Sequence, residues 1–526
     1  MLPDLLVDIP VAQNEEILHF YPQRELRTAP KPSAFSKSAV GLGVKAISGS
    51  PNFLARRLPN KSCLAISKSG DHIFLSNDEL ALLSLDPQAL PLNRLANLQS
   101  RFFIPTSRSD DGMLRLLDAR RGAKRETVDA GPSLHIIVPT LKCAHSCQYC
   151  QVSRSLDDDG HTMSIDDLDA VCDSIFESKA EALTVEFQGG DPLLRFDLVE
   201  HAIRRIHARN SIEKRRLRFV IASTLHQLTE EMCSFFRMFE VVLSVSLDGP
   251  AWLHNKNRPV PSRDAYERTL AGIELARDRL GHDAVSALMT TTKLSLLHPE
   301  AIVDEYVRLG FQDIFLRPLS SYGFAKRNQT RQGYSLEDFF DFYSRALQRI
   351  FYWNKQGIVI REVYASIILN KMLSTFDGGY VDLQSPTGSG ASVLAYNYDG
   401  YVYPSDEARM LVEAGDTTLR LGKIGTSQSE LLRSAVRRML VDASTTENIS
   451  ECRECAYNQF CAPNPVDSYA QHADAFAPVL TSEHCRRHMW LFDEFFTMLQ
   501  EADDFTLDLF YRWAVPAGDA RTSCVA

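Results

Sequence analysis

The sequence predicts an α/β fold, in which six strand–helix units form an open, partial (β/α)6 barrel. Short apolar runs rich in β-formers alternate with segments of helical period between residues 133 and 317. Such alternation implies a parallel sheet with right-handed crossovers, and six units are fewer than the eight that close a barrel. The runs are LHIIVPT, LTVEF, RFVIAS, VVLSVS, AVSALMT and DIFLR, and the helices are predicted at 165–179, 196–209, 227–239, 263–280 and 298–310.

The length of 526 residues predicts several domains, because single cores rarely grow that large. The segment SCLAISKSGDHIFLSND predicts a β-hairpin turning at Ser69-Gly70-Asp71, and two short helices are predicted after it. This small α+β module either grips a peptide by strand addition or caps the open edge of the barrel. The predicted boundaries are an irregular arm at 1–61, the module and a linker at 62–130, the barrel at 131–335, and a helical, cysteine-bearing extension at 336–526.

Composition and charge restrict the compartment and the partners. The formal net charge is -10, which disfavours non-specific binding to nucleic acid. No apolar run approaches the roughly 18–20 residues of a membrane span, and the first residues lack the basic region of a secretory signal. We therefore expect a cytoplasmic protein with reduced thiols and no membrane partner. Seven of its 11 cysteines fall into two clusters, which indicates metal binding.

The first cysteine cluster follows the first predicted strand. LKCAHSCQYCQ places Cys143, Cys147 and Cys150 in a C-x3-C-x2-C spacing, one ligand short of a closed zinc or iron–sulfur site. His145 is a fourth zinc ligand on paper, although it sits on a tight loop between two cysteines. A [4Fe–4S] cluster on three thiolates leaves one iron open to a chelating small molecule. Both interpretations remain open from the spacing alone.

Other polar residues follow the second and fourth predicted strands. Gly189, Gly190 and Asp191 lie in VEFQGGDPLL, where glycine would permit a close backbone approach. Ser246 follows in SVSLDGP, and Arg258 in LHNKNRP has a planar guanidinium suited to a carboxylate. Because parallel α/β folds place their chemistry at the carboxyl ends of strands, these residues are binding candidates. The alternatives are plain turns and helix caps.

The second cysteine cluster lies in the C-terminal extension. CRECAYNQFC gives Cys452, Cys455 and Cys461, and Cys485 follows in SEHCRRH. Four thiols match a closed site, for which zinc is the simplest occupant.

The first cluster and its neighbours resemble the signature of the radical S-adenosylmethionine (SAM) superfamily. The resemblance rests on the C-x3-C-x2-C spacing with Tyr149 before its last cysteine, on GGDP, where the family usually has Glu for Asp191, and on SLDGP. It implies a [4Fe–4S] cluster that cleaves SAM to a 5′-deoxyadenosyl radical, which takes a hydrogen atom from a substrate. The implied ligands of the cluster are Cys143, Cys147 and Cys150, and the implied SAM-binding residues are Tyr149, Gly189, Gly190, Asp191, Ser246 and Arg258.

The C-terminal cysteines resemble the SPASM extension of peptide-modifying members. This resemblance implies one auxiliary [4Fe–4S] cluster on all four thiolates, and a second cluster lost because Pro465 and Ser405 stand where cysteines are usual. In sulfatase maturases of this kind an Asp at the place of Asp406 is the proposed base, so Asp406 and its neighbour Glu407 are candidates for deprotonating a substrate after hydrogen abstraction. The alternative is a turn carboxylate.

The stretches EFQGGDPLL, SLDGPAWLHNKNRP, ALMTTT and IFLRPLSSYGFA look closest to the radical SAM maturase of the bacterial His-Xaa-Ser system. The resemblance implies modification of a ribosomally made peptide or small protein, with electrons from a flavodoxin- or ferredoxin-like donor. It does not identify the reaction. Two other functions fit: a radical SAM enzyme for a small molecule, and a non-catalytic binding protein stabilised by zinc.

Overall fold

A computed structural model describes residues 52–104, 111–119, 122, 130–157, 159–320, 322–374 and 380–515. Most of the predicted arm and most of the predicted linker lie outside the described residues.

The N-terminal module is a three-stranded antiparallel sheet with two helices. The predicted hairpin is present, with Gly70 at φ +82° in its turn. One strand was missed, because FLARR was included in the irregular arm, whereas it pairs along its full length with the next strand. The elements are β1 (Phe53–Arg57), β2 (Cys63–Ser67), β3 (His72–Leu75) and the helices Asn77–Leu85 and Leu92–Ser100.

Ten more strands follow along the chain, and eight of them form the central sheet. They are β4 (Leu134–Thr140), β5 (Ala182–Gly189), β6 (Arg216–Ser223), β7 (Val242–Ser246), β8 (Val285–Leu288), β9 (Asp313–Ile314), β10 (Arg361–Glu362), β11 (Val393–Tyr396), β12 (Tyr401–Tyr403) and β13 (Gly422–Lys423). The order in the central sheet is β13-β12-β11-β4-β5-β6-β7-β8. Its strands β11 and β4 to β8 run parallel, whereas β12 and β13 are antiparallel.

The prediction of the first five parallel strands is confirmed, but the sixth strand of the predicted barrel is wrong in its pairing. β9 forms a separate two-stranded ladder with β10. It is tied to the end of β8 through the N–H of Thr291, which donates to the carbonyl of Arg317 at 2.8 Å. The strand is short because the N–H of Arg317 turns back to the carbonyl of Phe315 at 2.8 Å. The sheet gains its sixth parallel strand at the opposite edge, from β11.

Helices cover the outer face of the sheet between consecutive strands, as the alternation predicts. Five of them match the predicted segments to within a few residues at their ends, and Ala251–Asn257 adds a sixth. The six are Ile165–Ser174, Phe196–Glu213, Glu230–Met238, Ala251–Asn257, Ala265–Leu280 and Pro299–Arg308.

The C-terminal extension is mainly helical. Its Tyr-rich stretch LAYNYDGYVY predicts a hairpin, and strands β11 and β12 form that hairpin. Residues 335–375 have an amphipathic helical pattern, and they form two helices, separated by a turn with Gly357 at φ +82° and by β10. Two short helices, Gly323–Arg327 and Gln329–Gln332, precede the extension. The helices of the extension are Leu336–Lys355, Val363–Leu373, Asp406–Met410, Gln428–Leu431, Ala435–Asp442, Ser450–Arg453, Pro465–His472, Glu483–Glu501 and Asp504–Ala514.

The two faces of the central sheet differ in polarity. On β5, Leu183, Val185 and Phe187 join the main hydrophobic core beneath the helices. Strand side chains alternate between faces, so Thr184 and Glu186 point to the opposite, inner face. Among the residues described, no helix has the length and apolar character that crossing a membrane requires.

Candidate active site

The loop after β4 brings its three cysteines together. Cys143 and Cys147 are buried and Cys150 is half-buried. Burial raises the pKa of the Cys147 thiol, and the neighbouring Cys150 and Cys143 raise it further. This electrostatic effect indicates that the three side chains lie close together. The Arg258 guanidinium acts in the opposite direction on the pKa of Cys147. Thiolates are the ligand form, so a cation at this place stabilises the state that binds metal.

The glycine pair packs against the backbone that leads into this loop. The N–H of Gly190 donates to the carbonyl of Thr140 at 2.9 Å, and the N–H of Asp191 donates to that of Lys142 at 2.7 Å. A Cβ on Gly190 would stand 2.1 Å from the Lys142 carbonyl oxygen, and one on Gly189 would stand 2.3 Å from that of Thr140. Glycine is therefore required by the chain's own backbone. The contact with SAM that the resemblance implies remains a prediction.

Asp191 holds the ends of β5 and β6 together. Its side chain is buried, and Oδ1 accepts the Ser223 hydroxyl at 2.7 Å. Oδ2 accepts the Thr224 hydroxyl at 2.5 Å and the Thr224 N–H at 3.3 Å. The carboxylate is thus saturated by the protein, and its direct role is to fix the segment that supports the cysteine loop.

Asp248, at the end of β7, organises two of the predicted binding residues. Its Oδ2 accepts the Tyr149 hydroxyl at 2.5 Å and lies 3.1 Å from Nε of Arg258. The Arg258 guanidinium also lies over the Tyr149 ring, 5.4 Å from its centroid. Tyr149 and Arg258 are therefore fixed beside the thiols by a buried carboxylate. Ser246 is half-buried at the end of β7, where it pairs with Leu288 of β8.

Two buried ring nitrogens around the loop have no hydrogen-bond partner among the described residues: His145 Nδ1 and His254 Nε2. Such orphaned atoms are rare in proteins and mark places where a ligand is expected. His145 Nε2 is 3.2 Å from His226 Nδ1, so Nδ1 is the ring nitrogen of His145 that remains available to a ligand. Three clustered thiols, an adjacent arginine and unpartnered ring nitrogens fit an iron–sulfur cluster with a small polar cosubstrate.

A second polar group lies toward the C-terminal extension, and we call it the acid–arginine cluster. The pKa of Glu186 is raised to about 7, mainly by burial. Asp406 contributes to this increase, and Arg317 opposes it. Burial likewise raises the pKa of Asp382 against the opposing charges of Arg487 and Arg317. These mutual effects place the groups close together. The cluster comprises Glu186, Arg317, Asp382, Asp406, Glu407, Asp467 and Arg487.

Asp406 and Glu407 differ within this cluster. Asp406 is buried and paired with Arg409, whose Nε lies 2.7 Å from its Oδ1. Glu407 is half-buried, and burial together with Asp382 and Asp406 raises its pKa to about 7. A carboxyl that titrates near neutral pH is suited to exchanging a proton, whereas the Asp406 carboxylate is occupied by its ion pair with Arg409.

The four C-terminal cysteines also lie close together. Burial raises the pKa of Cys461, and Cys455, Cys485 and Cys452 raise it further. Cys485 lies in the first turn of the helix Glu483–Glu501, where its N–H donates to the capping Ser482 hydroxyl at 3.1 Å. These electrostatic effects indicate that the four thiols lie near one another, which fits the ligand set of an iron–sulfur cluster.

In the described part of the chain, no group of three or more His, Cys, Asp or Glu side chains is arranged around a single metal-ion position. A cubane presents a separate iron to each thiolate, so its ligands need not converge on one point.

Sequence reasoning missed four members of the acid–arginine cluster and the supporting role of Asp248. Glu186 carries a usable signal, because it is an acid inside the apolar strand segment LTVEF. Asp382, Asp467 and Arg487 come from separate loops and helices of the extension, and no local pattern connects them.

Comparison with known proteins agrees with the first cysteine site. Residues 137–304 match the family described as the Radical SAM superfamily. An uncharacterized protein of Archaeoglobus fulgidus is 26% identical over 343 residues, which cover 64% of this chain and 74% of that protein.

Solved structures share the fold at low sequence identity. The structure of anSMEcpe with bound AdoMet and a Cp18Cys peptide gives a TM-score of 0.58 at 16% identity, covering 72% of this chain and 100% of that one. The structure of Streptococcus suis SuiB bound to precursor peptide SuiA gives a TM-score of 0.50 at 12% identity. The match covers 83% of this chain and 98% of that one. At these identities the likeness is one of fold.

Proposed function

We propose that this radical SAM enzyme, whose superfamily domain spans residues 137–304, modifies a ribosomally made peptide or small protein. The observation that carries the proposal is the site around Cys143, Cys147 and Cys150, with its adjacent arginine and two unpartnered buried histidine nitrogens. Support for a peptide substrate comes from anSMEcpe and SuiB, since both structures that share this fold hold peptides. A His-Xaa-Ser repeat protein is our first candidate, and a flavodoxin- or ferredoxin-like protein our candidate donor.

The residues of the first site have separate proposed roles. Cys143, Cys147 and Cys150 would hold the cluster, which with SAM supplies the hydrogen-abstracting radical. Arg258 would face the carboxylate of the cosubstrate with its guanidinium, which Asp248 holds in place through Nε. The other proposed SAM contacts are Tyr149, Gly189, Gly190, Asp191 and Ser246, where Asp191 acts through the backbone it fixes.

The N-terminal module is proposed to take part in peptide binding, but its edge strand β3 is partly covered. Arg101 Nη2 donates to the carbonyl of His72 at 2.6 Å, and Arg94 Nη2 donates to that of Phe74 at 2.9 Å. Strand addition there requires these arginines to move. We place the enzyme in the cytoplasm, where cluster thiols stay reduced.

Metal content provides the first test. Protein prepared without oxygen should contain about eight iron atoms per chain, because each of the two proposed [4Fe–4S] clusters contains about four. A content of about four irons per chain would reject the auxiliary cluster. The four C-terminal cysteines would then be assigned to zinc: Cys452, Cys455, Cys461 and Cys485. Stoichiometric zinc without iron would reject radical chemistry in favour of a zinc-stabilised binding protein.

The substrate class needs a separate measurement. The reduced enzyme is incubated with SAM and a candidate His-Xaa-Ser protein, and the 5′-deoxyadenosine formed is compared with the mass change of that protein. Turnover coupled to a peptide mass change supports the proposal. Coupled turnover of a small molecule, with no peptide modified, would favour the alternative class.

We propose Glu407 as the proton acceptor, with Asp406 as the charged partner that keeps Arg409 in place. If a substrate radical is oxidised by one electron, which would pass to the auxiliary cluster that the four C-terminal cysteines would hold, a proton is released, and a carboxylate of pKa about 7 can take it. Glu407→Gln should lower product formation on the order of 10²-fold or more without slowing SAM cleavage. In the wild type, product formation should rise with pH through about 7, because the carboxyl must be ionised to accept, and this rise should vanish in the variant.

Asp406→Asn is the comparison variant. It leaves the Arg409 charge buried without its partner, which typically costs about 3–5 kcal/mol in free energy of unfolding. Denaturant unfolding measures that loss. If Asp406→Asn keeps its stability but loses product formation, while Glu407→Gln remains active, Asp406 is the acceptor and our assignment is wrong.

A further inference from the structure

The N-terminal module reaches the C-terminal cysteines through one arginine. Arg56 of β1 donates from Nε to Asp493 Oδ1 at 2.5 Å and from Nη2 to Oδ2 at 2.6 Å. The side chains of Arg56 and Asp493 are only 13% and 12% exposed. A two-pronged, poorly solvated pair of this kind fixes both partners much more strongly than a surface ion pair does.

Both partners of this pair are directly linked to the cysteine site. Asp493 lies on the helix Glu483–Glu501, which carries Cys485. Its Oδ1 also accepts the Tyr457 hydroxyl at 2.6 Å, and Tyr457 follows Cys455 by two residues. The Arg56 guanidinium lies 5.3 Å from the centroid of the Tyr457 ring. Arg56 therefore joins the two chain segments that supply these thiols.

The charge of Arg56 also reaches the thiols. It is the cation that acts electrostatically on both Cys455 and Cys485. A group of thiolates carries several negative charges in a poorly solvated place, and a fixed guanidinium offsets part of that charge. Because arginine stays protonated at any working pH, this compensation does not vary.

The module is packed firmly enough to hold Arg56 in place. The His72 ring contacts Phe496 at a centroid distance of 5.1 Å, on the same helix as Asp493. The Ser62 hydroxyl donates to Gln500 Oε1 at 2.6 Å, one turn further along that helix. Aromatic contacts and hydrogen bonds thus dock the sheet on the helix that carries Cys485.

We infer that Arg56 is a positioning residue of the C-terminal cysteine site, so the N-terminal module helps to set the reduction potential of the cluster bound there. The electrostatic part rests on the proposed auxiliary cluster, whereas the positional part does not. The cation favours the reduced, more negative form of a cluster, so its removal lowers the potential. The module is on this basis a structural part of the auxiliary site.

The test compares Arg56→Gln with Arg57→Gln in the full-length holoenzyme. Arg57 is the next residue, is exposed, and donates to Asn77 Oδ1 at 2.9 Å, so its replacement removes the same charge away from the cysteines. Redox titration followed by electron paramagnetic resonance gives the potentials, and the signal lost in Cys461→Ala identifies the C-terminal cluster. We expect the reduction potential of this cluster to fall by about 59 mV in Arg56→Gln, which is a tenfold change in the equilibrium constant of its one-electron reduction.

A second readout does not require iron. Hydrogen exchange in metal-free protein should accelerate in the segment 452–461 of Arg56→Gln, and should be unchanged in Arg57→Gln. Faster exchange with an unmoved potential would overturn the electrostatic part. Equal behaviour of the two variants in both measurements would overturn the whole inference. A C-terminal site without iron in the wild type would reject the auxiliary cluster and the electrostatic part, and exchange would still decide the positional one.

Discussion

Replacing Cys147 with Ala should abolish 5′-deoxyadenosine formation. Cys147 is the buried thiol on which Cys150, Cys143 and Arg258 all act, so its loss removes one of the three proposed ligands from the centre of the site. Removing an outer partner of a metal site typically costs about 10–100-fold in activity, and the loss of a ligand should exceed that range. Chromatographic measurement of 5′-deoxyadenosine after reduction with dithionite in the presence of SAM gives the answer.

Cys233→Ala is the matched control. Cys233 is fully buried on the helix Glu230–Met238 and belongs to neither cysteine cluster. Its variant loses one sulfur from a packed position and should retain SAM cleavage. If Cys147→Ala cleaves SAM at the wild-type rate, the three-cysteine assignment is wrong. If both variants lose activity together with stability, the effect is one of folding, and Cys147→Ser then decides, since it nearly preserves the volume.

Replacing Gly190 with Ala should disturb the cysteine loop before it affects any cofactor contact. The added Cβ would stand 2.1 Å from the Lys142 carbonyl oxygen and 2.3 Å from that of Leu141, and backbone cannot move aside as a flexible side chain can. Overpacking of this kind typically costs about 1–3 kcal/mol, and a rigid neighbour places the cost toward the upper end. We expect lower stability in denaturant and a much lower iron content after reconstitution.

Gly112→Ala provides the control for this variant. Gly112 lies in the helical segment 111–119, and its added Cβ would meet only the edge of the Phe102 ring, at 3.3 Å. Alanine favours helix, so stability should be unchanged or slightly higher. Normal stability and full iron content in Gly190→Ala would show that the close approach is not needed. The glycine would then have to be explained by a ligand.

Periodicity along the chain was sufficient for most of the barrel. Strands β4 to β8 and the helices between them could be predicted because short apolar runs alternate with segments of helical period. The sixth strand could not, since its pairing depends on β10, far along the chain, and on the turn at Arg317. β11 was recognised as part of a hairpin, but its parallel pairing with β4 is a long-range contact without a local signal.

The sequence by itself predicted the chemistry of this protein. The spacing of Cys143, Cys147 and Cys150, its position after a strand, and the GGDP and SLDGP segments together indicate a SAM-binding iron–sulfur site, because ligand type and spacing are local properties. Only the tertiary structure decided what the neighbouring residues do. Asp191 is saturated by Ser223 and Thr224, and Arg56 reaches Asp493 across 437 positions of the chain. Contacts between distant segments follow from packing, which local patterns do not encode.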